Sequence, residues 1–282
     1  MSISARMESN TDPVELRRLC GVALALGVLA QIVVPLIHGY GRTVCTLLSV
    51  VALFAAAVLH ALSESVSAML MALAVLFVGG LIIEAIGSRS GLPFGSYEYS
   101  HGLGWRVLGV PLAVPMAWMM MGWPAFVAGR KVGNAPVIGT AILVTWDLLL
   151  DPQMVKAGYW RWESTSWPSL NGIPIVNTVG WVVVAGAMMF AMDRLVTVNV
   201  RSKGLPLMVL AWTWFASILG SLVFGLSRPA AGLVGGVAMT VALAPVALRV
   251  RDDINRRPPV RVPGTASSGP RVAAGGPPLR RE

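Results

Sequence analysis

"SAMLMALAVLFVGGLIIEAI", residues 67–86, is a run of twenty residues with one ionisable side chain, Glu84. At 1.5 Å of rise per residue a helix of this length covers about 30 Å, the thickness of the hydrocarbon core of a bilayer. The stretch therefore reads as a membrane-spanning helix that carries a carboxyl group close to one end. Similar apolar runs recur at 19–37, 44–62, 107–127, 136–150, 174–192, 206–226 and 230–248. The 282-residue chain is 55% hydrophobic and only 12% charged, about half the charged share of a water-soluble domain. Together these features predict an all-α fold, a polytopic transmembrane helical bundle of about eight spans. The count becomes seven if the short run at 136–150, which stops before Asp151 and Pro152, is only half inserted.

The first run follows Arg17 and Arg18. It is longer than the apolar core of a secretory signal and lacks a small-residue cleavage site, so it is expected to be a retained helix. The predicted organisation is a cytoplasmic segment at 1–18, a transmembrane catalytic domain at 19–249 and a disordered basic tail at 250–282, rich in Pro, Gly and Arg. Eight spans place both termini on one side. Most of the 22 Lys and Arg gather there, including Arg130, Lys131, Arg194, Arg201 and Lys203. The expectation is a multi-pass protein of a bacterial plasma membrane with both termini in the cytoplasm. The net charge of +9 follows from those loops and the tail, and no basic module interleaved with aromatics calls for nucleic acid.

Other chemistries find no residues. Cys20 and Cys45 have neither metal-ligand nor redox spacing, and His38, His60 and His101 are scattered. No glycine-rich loop sits in a strand-to-helix context, so no nucleotide, cofactor or metal is expected.

The alternation of spans brings the remaining polar residues to one membrane level. Glu84 ends the third run, Asp147 and Asp151 end the fifth, and Asn177 begins the sixth. The connector "SRSGLPFGSYEYSHGLG", residues 88–104, joins the same level and adds Tyr97, Glu98, Tyr99 and His101. Asp147 and Asp151 are four apart and share a helical face, with Trp146 about 100° away. A carboxyl at the edge of hydrocarbon is costly when ionised and must be paired, hydrated or protonated. Two such neighbours make a candidate proton donor, unless Asp151 merely caps the helix where Pro152 ends it. The later stretch "YWRWESTSWPSLNGIPIVNTVGW", residues 159–181, holds Trp160, Trp162, Trp167 and Trp181. These rings form either an aromatic belt at the lipid surface or the wall of a pocket. In "VPLAVPMAWMMMGWP", residues 110–124, Pro111 and Pro115 are expected to bend or break the fourth span beside Trp118.

Glu84 followed by "GLPFGSYEYSHGLG", then "GVPLAVPMAW", "DLLLDP", "YWRW" and "NGIPIVNTVGW", resembles an integral membrane carotenoid biosynthesis family that includes hydratases of gamma-carotene and bisanhydrobacterioruberin. The resemblance covers residues 67–192 through ordered motifs and the flanking helices through hydropathy alone. It implies addition of water across the 1,2 double bond of an acyclic psi end group, without a redox cofactor. It implies as partners membrane lipid, a carotenoid entering from the bilayer and other carotenoid enzymes. Carried onto this chain, it points to Glu84, Tyr97, Tyr99, Asp147, Asp151, Trp160, Trp162, Asn177 and Trp181. The chain departs from the family at Leu170 and Asn171, where an aromatic pair is usual, and this opens the identity of the substrate.

The residue types suit that reaction. Hydrating an unactivated alkene needs an acid to protonate C2 and a water to capture the C1 cation. Asp147 is expected as the acid, Asp151 or Glu84 as the group that handles water, and Trp146 or Tyr97 as the ring against the cation. Glu98, His101 and Trp118 complete the expected pocket. Two other functions fit the same composition: a transporter for a lipid or small solute, and a noncatalytic carotenoid-binding protein.

Overall fold

The computed structural model describes residues 13–163, 168–170 and 172–256. Trp167, Asn171, residues 1–12 and the tail from 257 lie outside the described residues. The helices are α1 (Pro13–Val33), α2 (Gly39–Glu64), α3 (Val66–Ala72), α4 (Gly79–Ser90), α5 (Ala113–Val132), α6 (Ala135–Lys156), α7 (Ile175–Leu195), α8 (Gly204–Leu222) and α9 (Pro229–Asn255). A π-helical segment, Leu73–Val78, joins α3 to α4 without a break, so Val66–Ser90 is one span. Among the described residues seven helices are long and apolar enough to cross a membrane. The chain is a multi-pass membrane protein.

The eighth long helix, α5, falls outside that set and lies deepest in the bundle. Its Trp123, Phe126, Met119 and Met121 are fully buried, and α2, α6, α8 and α9 pack around it. Interior position relieves α5 of any need for a lipid-facing apolar stripe, which is why its composition is less uniformly apolar. The outer helices show the converse. Leu26 and Leu29 of α1, Val183 and Phe190 of α7 and Val237 and Val241 of α9 are exposed, on faces whose solvent is lipid. Small residues let the backbones approach. A Cβ on Gly235 of α9 would stand 2.8 Å from the Leu149 side chain and 3.2 Å from the Leu148 backbone.

Several expected boundaries move. The run at 136–150 is no half-inserted segment: α6 spans 22 residues and continues through Pro152 to Lys156. Pro152 therefore does not end the helix. It removes one internal bond, the one its missing N–H would give to the Leu148 carbonyl. The fourth span begins at Ala113 instead of 107, because residues 106–111 form a hairpin of β2 (Arg106–Val107) and β3 (Val110–Pro111). Pro115 then falls in the first turn of α5, where an absent N–H costs nothing, so the expected break is a helix start. At the other end of the chain, α9 carries the helix to Asn255, beyond the boundary at 250.

All the elements that hold the polar residues meet at one end of the bundle. There β1 (Tyr97–Tyr99) pairs antiparallel with β4 (Trp160–Trp162), and β5 (Ser169–Leu170) pairs with β6 (Ile173–Pro174). These short ribbons cap the bundle over the ends of α4 and α6 and the start of α5 and α7.

Candidate active site

The β1–β4 ribbon sorts its side chains by the period of two. Tyr97 faces Trp162, Glu98 faces Arg161 and Tyr99 faces Trp160. Alternate residues point to opposite faces, so the four aromatic rings turn into the protein while Glu98 and Arg161 turn outward and form an exposed ion pair. Glu98 is thus no part of the pocket. His101 is exposed on a short 3₁₀ turn, His101–Leu103, and also leaves the expected set.

The inward tyrosines close on Glu84. The hydroxyls of Tyr97 and Tyr99 each donate to Glu84 Oε2 at 2.6 Å, and Trp118 Nε1 donates to Oε1 at 3.0 Å. Three donors from two separate elements meet one buried carboxyl group. A carboxylate offers about four lone-pair sites, so one acceptor position is left over. Burial, and then the neighbouring Glu84, push both tyrosine hydroxyls well above the usual phenol range, which keeps them donors. The approach depends on Gly87, one turn below Glu84. A Cβ there would lie 2.9 Å from the Phe94 ring and 3.0 Å from the Tyr97 hydroxyl oxygen.

The second carboxyl centre sits on α6. Asn177, in the first turn of α7, donates from Nδ2 to Asp147 Oδ2 at 3.0 Å and to Asp151 Oδ2 at 2.7 Å. One amide nitrogen thus holds two buried carboxyl groups side by side. Asp147 Oδ1 is buried and has no protein partner among the described residues.

Aromatic rings connect the centres. Trp118 and Trp181 are stacked at 4.2 Å, Trp146 meets Trp181 edge-on at 6.1 Å, and Phe94 lies 6.3 Å from Trp181. Tyr97 and Tyr99 extend the wall to Trp162 and Trp160, each pair at 5.9 Å. The rings enclose a cavity of about 190 Å³ that Glu84, Tyr97, Tyr99, Trp118, Trp146, Asp151, Trp160, Trp162, Asn177 and Trp181 all line. Ten of the thirteen expected site residues therefore share one chamber.

Asp147 does not reach it. This residue, expected as the acid, instead borders a separate cavity of about 10 Å³ with Leu148, Asp151, Pro152, Leu170, Ile173, Thr178 and Val234. Among the described residues Asp151 is the one common to both cavities. The physical reason lies in the helix: four residues advance slightly more than one turn, so the pair shares a side but not a depth. Leu170 also borders the small cavity and not the large one.

Sequence reasoning missed part of the chamber. Phe94, Gln153, Thr213, Ser217 and Gln31 line it as well. Phe94 lies inside the quoted connector and was within reach of the sequence. Gln31 and Thr213 come from α1 and α8, whose place in the bundle no local pattern reveals.

Residues 41–242 match the family model described as carotenoid biosynthesis protein. A curated relative, bisanhydrobacterioruberin hydratase of Haloarcula japonica, is 30% identical over 122 residues, 39% of this chain and 40% of the relative. The matched part thus spans less than half of that relative's length. No solved structure matches significantly. With the family model covering well over half of the sequence, from α2 into α9, the chain belongs to the carotenoid biosynthesis protein family.

Proposed function

We propose that this protein is a carotenoid hydratase, which adds water across the 1,2 double bond of an acyclic psi end group to leave a tertiary alcohol. The observation that carries the reading is one aromatic chamber with two carboxyl groups on its walls, each held by different partners. Glu84 is surrounded by donors, while Asp151 shares an amide with a second carboxyl group. Pairs of carboxyl groups in unlike environments divide acid and base roles between them.

In this mechanism Asp151, in its protonated form, gives its proton to C2. The C1–C2 π electrons form the new C–H bond, and a tertiary cation remains at C1. Trp118, Trp146 and Trp181 offer their π faces to that cation. A water oxygen attacks C1 and its surplus proton passes to Glu84, whose remaining lone-pair position is free to accept it. One water is consumed, and the proton lost by Asp151 is balanced by the one gained at Glu84. Positioned proton transfer of this kind contributes about 10²–10⁴-fold each. Moving the acid from Asp147 to Asp151 follows from which of the two lines the chamber.

The location suits a substrate dissolved in lipid. The chamber lies at the end of the bundle, where a polyene can enter sideways and water from the adjacent surface. Its volume fits an end group, with the remaining polyene along helix faces outside. We further place the chain in the plasma membrane with both termini cytoplasmic, on the distribution of Lys and Arg.

The test is pigment extraction with mass detection from cells making lycopene or gamma-carotene and expressing the wild type, Asp151→Asn or Glu84→Gln at equal membrane levels. A product heavier by one water with the wild type, absent with Asp151→Asn, is the expected result. Pigment that binds the wild type and both variants yet stays unchanged in mass would establish a carotenoid-binding protein instead.

A further inference from the structure

The small cavity behind Asp151 has the size and the lining to hold one molecule of water. Its volume of about 10 Å³ matches the space one water needs, and a buried water requires two to four polar partners. Four are at hand. Asp147 supplies Oδ1, buried and without a protein partner among the described residues. Asp151 and Thr178, each with a polar side chain, also border the cavity. The fourth comes from Leu148, which also borders the cavity and whose carbonyl Pro152, lacking an N–H, leaves without its helical donor. A buried oxygen left unsatisfied, as Asp147 Oδ1 would be, carries the full penalty of its lost hydration, so a partner is favoured.

We propose that a resident water held by Asp147, Asp151, Thr178 and the Leu148 carbonyl is a built component of the site and returns a proton to the Asp147–Asp151 pair. The relay role rests on the hydratase reading; the water site itself does not. The cavity is bordered by Leu170 and Ile173 of the β5–β6 ribbon, and Leu170 is 45% exposed, so the protein surface at this end of the bundle lies one ribbon away. A proton arriving on the water leaves through another of its O–H bonds to Asp147 Oδ1. Asp147, which at rest carries its proton on Oδ2, passes that proton to the ionised Asp151 Oδ2, its neighbour across the Asn177 amide. The water is regenerated, Asp147 now holds its proton on Oδ1 and resets by a half-turn of its carboxyl group, Asp151 is recharged, and the proton that Glu84 took from the attacking water is released to solvent before the next turnover. Thr178 and Pro152 are positioning residues in this scheme, since neither lines the substrate chamber.

The experiment is infrared difference spectroscopy of the full chain in lipid nanodiscs, exchanged between H₂O and H₂¹⁸O, for the wild type, Thr178→Val, Thr178→Ser and Pro152→Ala. The wild type should show an isotope-sensitive stretch of a single buried water. Thr178→Val should lose or shift that band and Thr178→Ser should restore it. Pro152→Ala, whose new N–H occupies the Leu148 carbonyl, should shift it independently. In turnover assays Thr178→Val should lower kcat about tenfold with KM unchanged, and Thr178→Ser should recover it. No such band in the wild type, or a band left unchanged by both Thr178→Val and Pro152→Ala, overturns the water site. A chain with the band that makes no hydrated pigment keeps the site and overturns the hydratase reading.

Discussion

Asp147 and Asp151 accept hydrogen bonds from the same Asn177 nitrogen and border the same small cavity, yet of the two Asp151 alone also lines the aromatic chamber. The pair is thus ordered in depth, with Asp151 towards the aromatic chamber and Asp147 behind it. Neutralising each should separate the two roles. Asp151→Asn is expected to lower product formation by at least about 10³-fold, as loss of a proton donor does. Asp147→Asn should cost only about 10–100-fold, because the group that touches substrate remains. Product per unit of folded protein, quantified by chromatography, checks the order, and an inverted order would return the acid to Asp147.

Glu84 and its tyrosines act as a unit. Tyr97→Phe or Tyr99→Phe removes one of three donors, and each single change should cost about tenfold in turnover. The double variant should cost more than either, though less than the product of the two, because the groups share one acceptor oxygen. A double-mutant cycle on kcat measures the coupling, and strict additivity would show that the two hydroxyls do not act through Glu84.

The same hydroxyls carry a pH signature. Their acidity is suppressed first by burial and then by Glu84, so the native state holds protons that an unfolded chain releases near the ordinary phenol value of about 10. Where the native state binds more protons, stability falls as pH rises. The contribution of Tyr97 and Tyr99 is fully present below about pH 10 and is lost as pH climbs above it. Comparing the alkaline unfolding midpoint of the wild type with that of the Tyr97→Phe/Tyr99→Phe double variant tests this. The double variant should lose less stability between neutral and alkaline pH.

How much of this was legible in the sequence follows from the range of each interaction. Spans, and the shared level of Glu84, Asp147, Asp151 and Asn177, come from hydropathy and alternation, which are properties of the chain alone. The exclusion of Glu98 was legible in principle, since the "YEY" triplet puts its middle residue on the opposite face of a strand. That inference needed the "WRW" partner strand, 63 residues away, to be known as a partner. The position of Asp147 behind the chamber is not legible in the sequence, because spacing fixes a helical face and says nothing of what packs against it. The continuation of α6 past Pro152 was hidden for a related reason. A proline inside a helix is tolerated when tertiary packing holds both sides, and here α7 and α9 do so.

Gly87 should tolerate no side chain. A methyl group at this position would press on the Phe94 ring and the Tyr97 hydroxyl, and overpacking of this kind costs about 1–3 kcal/mol. Gly87→Ala is expected to fold with a lowered Tm and to lose most turnover, because relief comes by pushing Tyr97 off Glu84. Tyr97→Phe in the Gly87→Ala background should then add little further loss of activity. Thermal unfolding in detergent and pigment assays read the two effects separately.

Glu98 and Arg161 supply the opposite expectation. Their side chains are 53% and 78% exposed, and an ion pair so open to water contributes about 0–1 kcal/mol. Both lie on the outer face of the ribbon whose inner face builds the chamber. Glu98→Gln and Arg161→Gln should therefore leave turnover within about twofold of the wild type and shift Tm by little. The strands are held by backbone hydrogen bonds and by the inward aromatic pairs, which neither change touches. A large loss of activity from Glu98→Gln, with Tyr97 and Tyr99 intact, would mean that the ribbon's outer face takes part in catalysis and that substrate reaches the site from that side.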